Sequence, residues 1–184
     1  SARDRRAELT SGQEPFAIVL GCSDSRVPAE LVFDQGLGDL FVIRVAGNVA
    51  DVDEIASIEY GTEHLKTPVV VVMGHTACGA VTAVASGAEL HGHLAELTNN
   101  ILPAVTDAKQ ENPKLTGERL ITQSVRWNVR QAQADLIVNQ GLLDPVVAAL
   151  RQALRIMGES LGFLIELLAG LLPWLVALYL AFRV

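Results

Sequence analysis

Three short apolar runs, "FAIVL" at positions 16–20, "LFVIRV" at 40–45 and "VVVVM" at 69–73, constrain the fold more than any other feature of the chain. They are continuous rather than alternating, which is the pattern of strands covered on both faces of a parallel sheet. Helical spacing fills the intervals. Residues 53–66 place Ile55, Ile58 and Leu65 on one side, with acids at the start where the helix dipole favours them, and Pro68 ends the segment. Over residues 117–138, Leu120, Ile121, Val125, Val129, Ala132 and Leu136 recur at helical spacing; Asp144 before Pro145 reads as an N-cap with proline at the first helical position. A further short strand is expected at 154–157. Strands alternating with helices predict an α/β fold: a parallel sheet of about four strands flanked by helices.

The residues that follow the first and third runs have no use in a core strand. Cys22, Asp24 and Arg26 come directly after the first, and Gly74-His75-Thr76-Ala77-Cys78-Gly79 after the third. In open α/β sheets ligands bind beyond the carboxyl ends of the strands, where strand order reverses, so the two clusters should meet there. Together they bring two thiolates and an imidazole, a donor set suited to Zn²⁺, with the Asp24 carboxylate available as a fourth ligand. Alone, either cysteine would read as a buried free thiol and His75 as a hydrogen-bonded core histidine. Three protein ligands with an open position favour a catalytic over a structural metal site.

Composition narrows the remaining classes. The formal charge is −7 and the 14 basic residues are scattered, which excludes a phosphate-neutralising nucleic-acid binder. Cys22 and Cys78 are the only cysteines, so no disulfide framework is implied and a reducing, cytoplasmic location is expected. The opening Ser-Ala-Arg-Asp-Arg-Arg lacks the apolar region of a signal peptide, and export is not expected.

The motifs "CSDSRV" at 22–27, "GLGDLFVIR" at 36–44, "AGN" at 46–48, "IEY" at 58–60 and "GHTACG" at 74–79 resemble those of β-class carbonic anhydrases, in consistent order over about residues 12–140. The resemblance implies a zinc enzyme interconverting carbon dioxide and bicarbonate, on a parallel sheet of order 2-1-3-4, assembled as dimers or higher oligomers. It implies Cys22, His75 and Cys78 as zinc ligands, and Asp24 with Arg26 as the family's dyad. In carbonic anhydrases zinc is known to bring the pKa of water to about 7, and hydroxide then attacks carbon dioxide. Held by Arg26, Asp24 would stay ionised and accept the hydroxide proton; released, it would ligate zinc in an inactive closed state. Similarity also places Gln13, Phe41 and Tyr60 in the substrate pocket, with Phe41 and Tyr60 contributed across a dimer interface. A regulatory subclass carries tryptophan three residues before the first zinc cysteine; Val19 occupies that position here and argues against it.

Several features depart from the family pattern. Against the family pattern the sequence starts after most of an expected N-terminal helical arm, and Val45 replaces the usual asparagine before "AGN". Residues 161–182 form an apolar run whose one charge is Glu166, interrupted by Gly162, Gly170 and Pro173 and flanked by Arg183. A run of roughly 20 apolar residues is long enough to span a bilayer, with Trp174 and Tyr179 as interfacial residues. The carboxylate and the proline favour instead a soluble dimer or tetramer whose tails bury one another, with membrane attachment as the alternative. The expected organisation is therefore a zinc domain over 1–158 and an apolar helical segment over 159–184. His64, His91 and His93 are available as proton shuttles, but a solvated helix face for His64 and a loop for His91 and His93 are the favoured accounts, and His91 with His93 could take up adventitious metal. Two other functions compete with carbon dioxide hydration: hydrolysis of carbon disulfide or carbonyl sulfide with the same ligands, and a non-catalytic zinc-stabilised assembly or membrane module.

Overall fold

The structure is a computed structural model and describes residues 2–139. Its centre is a parallel sheet of β1 (Ala17–Cys22), β2 (Leu40–Val45) and β3 (Val70–Met73) in the order β2-β1-β3. This is the predicted 2-1-3 arrangement, and every strand pair is parallel. Leu20 pairs with Ile43 on one side and Val72 on the other, so the chemistry-bearing ends of β1 and β3 lie next to each other. As the middle strand, β1 is buried along its whole length, which is why its sequence shows no polar alternation.

The strand runs forecast from sequence shift slightly. Ladder pairing carries β1 two residues further than position 20, through Cys22 opposite Val45, and the Ser23 N–H still bonds the Val45 carbonyl at 3.1 Å. Cys22 is thus the last residue of the strand rather than a loop residue beyond it. Val45, which stands where relatives were expected to carry asparagine, packs as an ordinary apolar side chain on the core clusters.

Helices α1 (Ala2–Glu8) and α2 (Ala29–Val32) flank β1 in sequence, and α3 (Val52–Glu63) connects β2 to β3. Asp51 and Glu54 close a capping box at the start of α3, each side chain taking a backbone N–H from the other end of the turn. The helix stops three residues before the predicted end at Lys66. There Lys66 turns into the left-handed region at φ 57°, and the Thr67 N–H bonds the Gly61 carbonyl at 3.0 Å, so the chain reverses before Pro68 is reached. Ile58 of α3 meets Ile18 and Leu20 of β1, all three fully buried. Each such side chain contributes about 1.5–3 kcal/mol by leaving water. Gly61 permits the close approach, since a Cβ there would lie 2.6 Å from Ile18 Cδ1.

Beyond β3 follow α4 (Gly79–Ser86), α5 (His93–Asn99), α6 (Leu102–Glu111) and α7 (Gly117–Asn139). The first three were not distinguished in the sequence, whereas α7 matches its forecast to within one residue. Its most buried row runs Leu120, Ser124, Asn128, Ala132, Leu136, at strict four-residue spacing. Two of its members are therefore polar, and the apolar forecast missed them. Glu111 ties α6 to α7 by accepting from Trp127 Nε1 at 2.8 Å and Gln123 Nε2 at 2.6 Å. A second core cluster of Cys22, Val49, Cys78, Val81, Ile101 and Val105 forms at the carboxyl end of the sheet.

The Asp144-Pro145 cap, the fourth strand at 154–157, the boundary at 158/159 and the apolar run at 161–182 lie outside the described residues. Among the described residues no helix is long and apolar enough to cross a membrane.

Candidate metal centre

The parallel pairing of β1 with β3 brings Cys22 to the loop that follows β3. His75 lies in that loop, and Cys78 is the N-cap residue of α4. One ligand atom from each of the three residues falls within 4.8 Å of the others, and the two sulfurs are 3.9 Å apart. All three are enclosed: Cys22 is 5 % exposed, Cys78 1 % and the His75 side chain 8 %.

The donor set fits a soft dication. His75 Nδ1 lies 2.9 Å from the Thr76 carbonyl, which accepts and therefore fixes the proton on Nδ1. That leaves Nε2 with its lone pair toward the cysteines, and this buried nitrogen has no hydrogen-bond partner. A metal-binding histidine is held in the same way, by a second hydrogen bond on the other nitrogen. The thiols are electrostatically poised as well. Donation by the Cys78 S–H pulls the Cys22 thiol down, helped by backbone N–H groups of Gly47 and Asp24, against burial. The Cys78 thiol is pushed up by its bond to Cys22 and by burial, although the N–H groups of Val81 and Ala80 at the start of α4 favour its anion. The pair thus releases one proton readily and holds the other until a cation arrives to compensate the second charge.

Asp24 and Arg26 form the expected pair beside these donors. Arg26 gives Nε–H to Asp24 Oδ1 at 2.8 Å and Nη2–H to Oδ2 at 2.6 Å, and its backbone N–H bonds Oδ1 at 3.0 Å. The guanidinium bonds hold the Asp24 carboxyl well below the usual carboxylate range. Its Oδ2 is 3.8 Å from His75 Nε2, so the carboxylate looks into the donor cluster. Arg26 also bonds the Ala77 carbonyl at 3.2 Å, tying the two loops together. Ala77 adopts φ 54°, a left-handed conformation unusual for a residue with a Cβ.

The remaining sequence candidates lie elsewhere. Phe41 pairs with Ile18, four positions back from Cys22, which is about 13 Å along the strand. It packs on the core cluster of Ile18 and Ile58, and its ring is 6.1 Å from that of Tyr60. Tyr60 is 47 % exposed, and Gln13 is exposed in the segment before β1. Within one chain Phe41 therefore stands well back from the metal centre. His64 stacks near Tyr60 at 5.3 Å, and His93 is solvated beside Glu96 at 3.5 Å. Among the described residues, neither these nor His91 joins the donor cluster.

Sequence reasoning passed over residues that shape the site. Arg44 donates to the Cys22 carbonyl at 3.0 Å and the Asp24 carbonyl at 2.5 Å, clamping the loop between them. Its only signal in the sequence was a single charge within an otherwise apolar strand, where Arg44 itself is exposed. Gly47 donates its N–H to Cys22 Sγ at 3.3 Å, and Asn128 Nδ2 bonds the Gly47 carbonyl at 2.6 Å.

The comparisons with known proteins agree with this geometry. A family model for carbonic anhydrase matches residues 17–160. The carbonic anhydrase of Mycolicibacterium smegmatis is 48% identical over 106 residues, covering 55% of this chain and 52% of that protein. Carbonic anhydrase 2 of Mycobacterium tuberculosis is 46% identical over 106 residues, covering 55% and 51%. The chain thus spans about half the length of these curated relatives. Among solved structures, the β-carbonic anhydrase CcaA superposes with a TM-score of 0.67 at 31% identity, over 78% of this chain and 70% of that one. A tetrameric β-carbonic anhydrase of Sordaria macrospora gives 0.68 at 28% identity, over 78% and 74%.

Proposed function

The chain belongs to the β-class carbonic anhydrase family, and on that premise we propose that it catalyses the reversible hydration of carbon dioxide to bicarbonate and a proton, at a zinc ion held by Cys22, His75 and Cys78. The observation that carries the reading is the convergence of two buried sulfurs and one buried, unpartnered imidazole nitrogen within 4.8 Å. Zinc bound there supplies the Lewis acidity that makes a nucleophile of water near neutral pH.

The chain's own residues do the rest. Asp24, kept ionised by Arg26, can only accept hydrogen bonds, so it would accept one from the O–H of the nucleophile and leave that oxygen's lone pair aimed at the substrate carbon. Arg26 sets that aim with two bonds to the carboxylate. Freed from Arg26, the same carboxylate, whose Oδ2 lies 3.8 Å from His75 Nε2, would be available as an additional ligand to a bound metal. Gln13, Phe41 and Tyr60 line the substrate pocket: an amide donor for the developing oxyanion and two aromatic walls suit a small, linear, apolar substrate. The position of Phe41, with Tyr60 beside it, four residues back along the strand from Cys22 supports an assembly in which Phe41 and Tyr60 serve a neighbouring protomer. A dimer or tetramer meets that need, and the tetrameric enzymes of Sordaria macrospora favour it. A reducing cytoplasm suits thiols that must stay free to bind metal.

Stopped-flow carbon dioxide hydration by the zinc-loaded protein tests the proposal, beside a Cys78→Ala variant. Catalysis is expected in the first and only the uncatalysed rate in the second. Equal rates would remove the site from the reaction.

A further inference from the structure

The most buried row of α7 carries a polar residue that nothing in helix packing requires. Asn128 is 2 % exposed and sits in its row between the buried Ser124, with Leu120 beyond it, and the apolar Ala132 and Leu136. Burying an amide is costly unless it is bonded, and Asn128 has one specific use: its Nδ2 donates to the Gly47 carbonyl at 2.6 Å, across 81 residues of sequence. Gly47 in turn donates its N–H to Cys22 Sγ at 3.3 Å. The glycine is therefore held at both ends, by a thiol on one side and by α7 on the other.

That grip matters because of the backbone between the two bonds. Gly47 has φ 75° and ψ 16°, and Asn48 follows at φ 45°, so two successive residues are left-handed. Glycine enters this region freely but leaves it as freely, and nothing intrinsic to it keeps its N–H pointed at sulfur. A Cβ cannot supply the rigidity, since it would lie 2.6 Å from Ile101 Cδ1. The restraint has to come from outside the turn, and the Asn128 amide provides it.

We propose that Asn128 is a positioning residue for the metal-binding sulfur of Cys22, acting through the Gly47 peptide. The proposal rests on the reading of Cys22 as a metal ligand and adds a group that reading does not contain. Hydrogen bonds to ligand atoms orient them and tune their donor strength, and losing such a partner typically weakens metal affinity by about 10–100-fold. The amide of Asn128 stands one step further back, so the lower half of that range is expected.

The test uses the full chain and two probes, zinc by competition with a chromophoric chelator and cobalt(II) by its thiolate charge-transfer band. Asn128→Leu keeps the volume and deletes the donor. Asn128→Ala leaves space for a water to replace the donor in part, so its effect should be the smaller of the two. Ser124→Ala serves as the control: it lies one turn away in the same buried row, and its hydroxyl has no partner. We expect roughly tenfold weaker zinc binding and a shifted cobalt band for Asn128→Leu, a lesser change in the same direction for Asn128→Ala, and neither change for Ser124→Ala. If Asn128→Leu does not fold, Asn128→Ala decides alone. Wild-type affinity and an unshifted band in every folded Asn128 variant overturn the proposal, even if the melting temperature falls, because the amide would then serve the fold only. A wild-type chain that takes up cobalt without a thiolate band overturns the metal assignment itself, and that outcome is read before any variant is made.

Discussion

Gly47→Ala should be among the most damaging single-methyl substitutions in the chain, and its cost can be worked out in parts. An L-residue at φ 75° carries about 1–2 kcal/mol of steric strain. The new methyl would stand 2.6 Å from Ile101 Cδ1 and 3.3 Å from Ala80 Cβ. Ile101 is fully buried and has little room to give, so overpacking adds about 1–3 kcal/mol. The stiffer unfolded chain returns about 0.4–1 kcal/mol. The net loss is about 1–4.5 kcal/mol, which for a chain of this size lowers the melting temperature by about 2–18 °C. Thermal unfolding of the metal-free protein, followed by circular dichroism at fixed concentration, measures it. A cycle with Ile101→Val separates the two causes. That change deletes Cδ1, the clashing atom, and costs about 0.5–1.5 kcal/mol alone. In the double variant the same deletion relieves the clash, so the pair should be more stable than additivity predicts by about 1 kcal/mol. Strict additivity would refute the steric argument, and a stabilised single variant would refute the conformational one as well.

Other substitutions probe the loops around the donors. Arg26→Ala should abolish most carbon dioxide hydration while leaving one zinc per chain by elemental analysis, because Arg26 holds Asp24 and is no ligand; a wild-type rate would take the pair out of the mechanism. Ala77→Gly should stabilise the metal-free protein by about 0.5–1 kcal/mol, the strain of a left-handed alanine less the entropy glycine adds to the unfolded chain; a lower melting temperature would show that φ 54° is not strained here. Glu111 is held below its ordinary value of 4.5, first by the Trp127 bond and then by that of Gln123. Its contribution to stability is therefore complete above that ordinary value and is lost as pH falls through the lower folded one. Glu111→Gln should accordingly melt below wild type at neutral pH, and the gap should close on acidification; a gap independent of pH would assign the loss to packing instead.

The donor set and the sheet were legible in the sequence for physical reasons that act locally. A central parallel strand has no solvent face, so its residues 17–22 announce themselves as an unbroken apolar run. Thiols and an imidazole placed at the ends of two such runs have few uses other than metal, and the carboxyl ends of neighbouring parallel strands must lie together. Hence Cys22, His75, Cys78, Asp24 and Arg26 could be named before any coordinate was known. Short helices such as α5, with no sustained periodicity, gave no such signal.

What tertiary structure decided was everything that depends on partners distant in sequence. Ser124 and Asn128 were not among the helical positions picked out by apolar spacing, yet both are buried, and Asn128 bonds the turn at Ala46–Asn48 through the Gly47 carbonyl. Arg44 was passed over as part of the run at 40–45, and only the fold shows the Cys22 and Asp24 carbonyls as its acceptors. Phe41 and Tyr60 were read as pocket walls, and in the folded chain they stand against each other at the far half of β2. A residue's type records what it can bond, whereas the choice of which group it does bond follows from packing that no local pattern encodes.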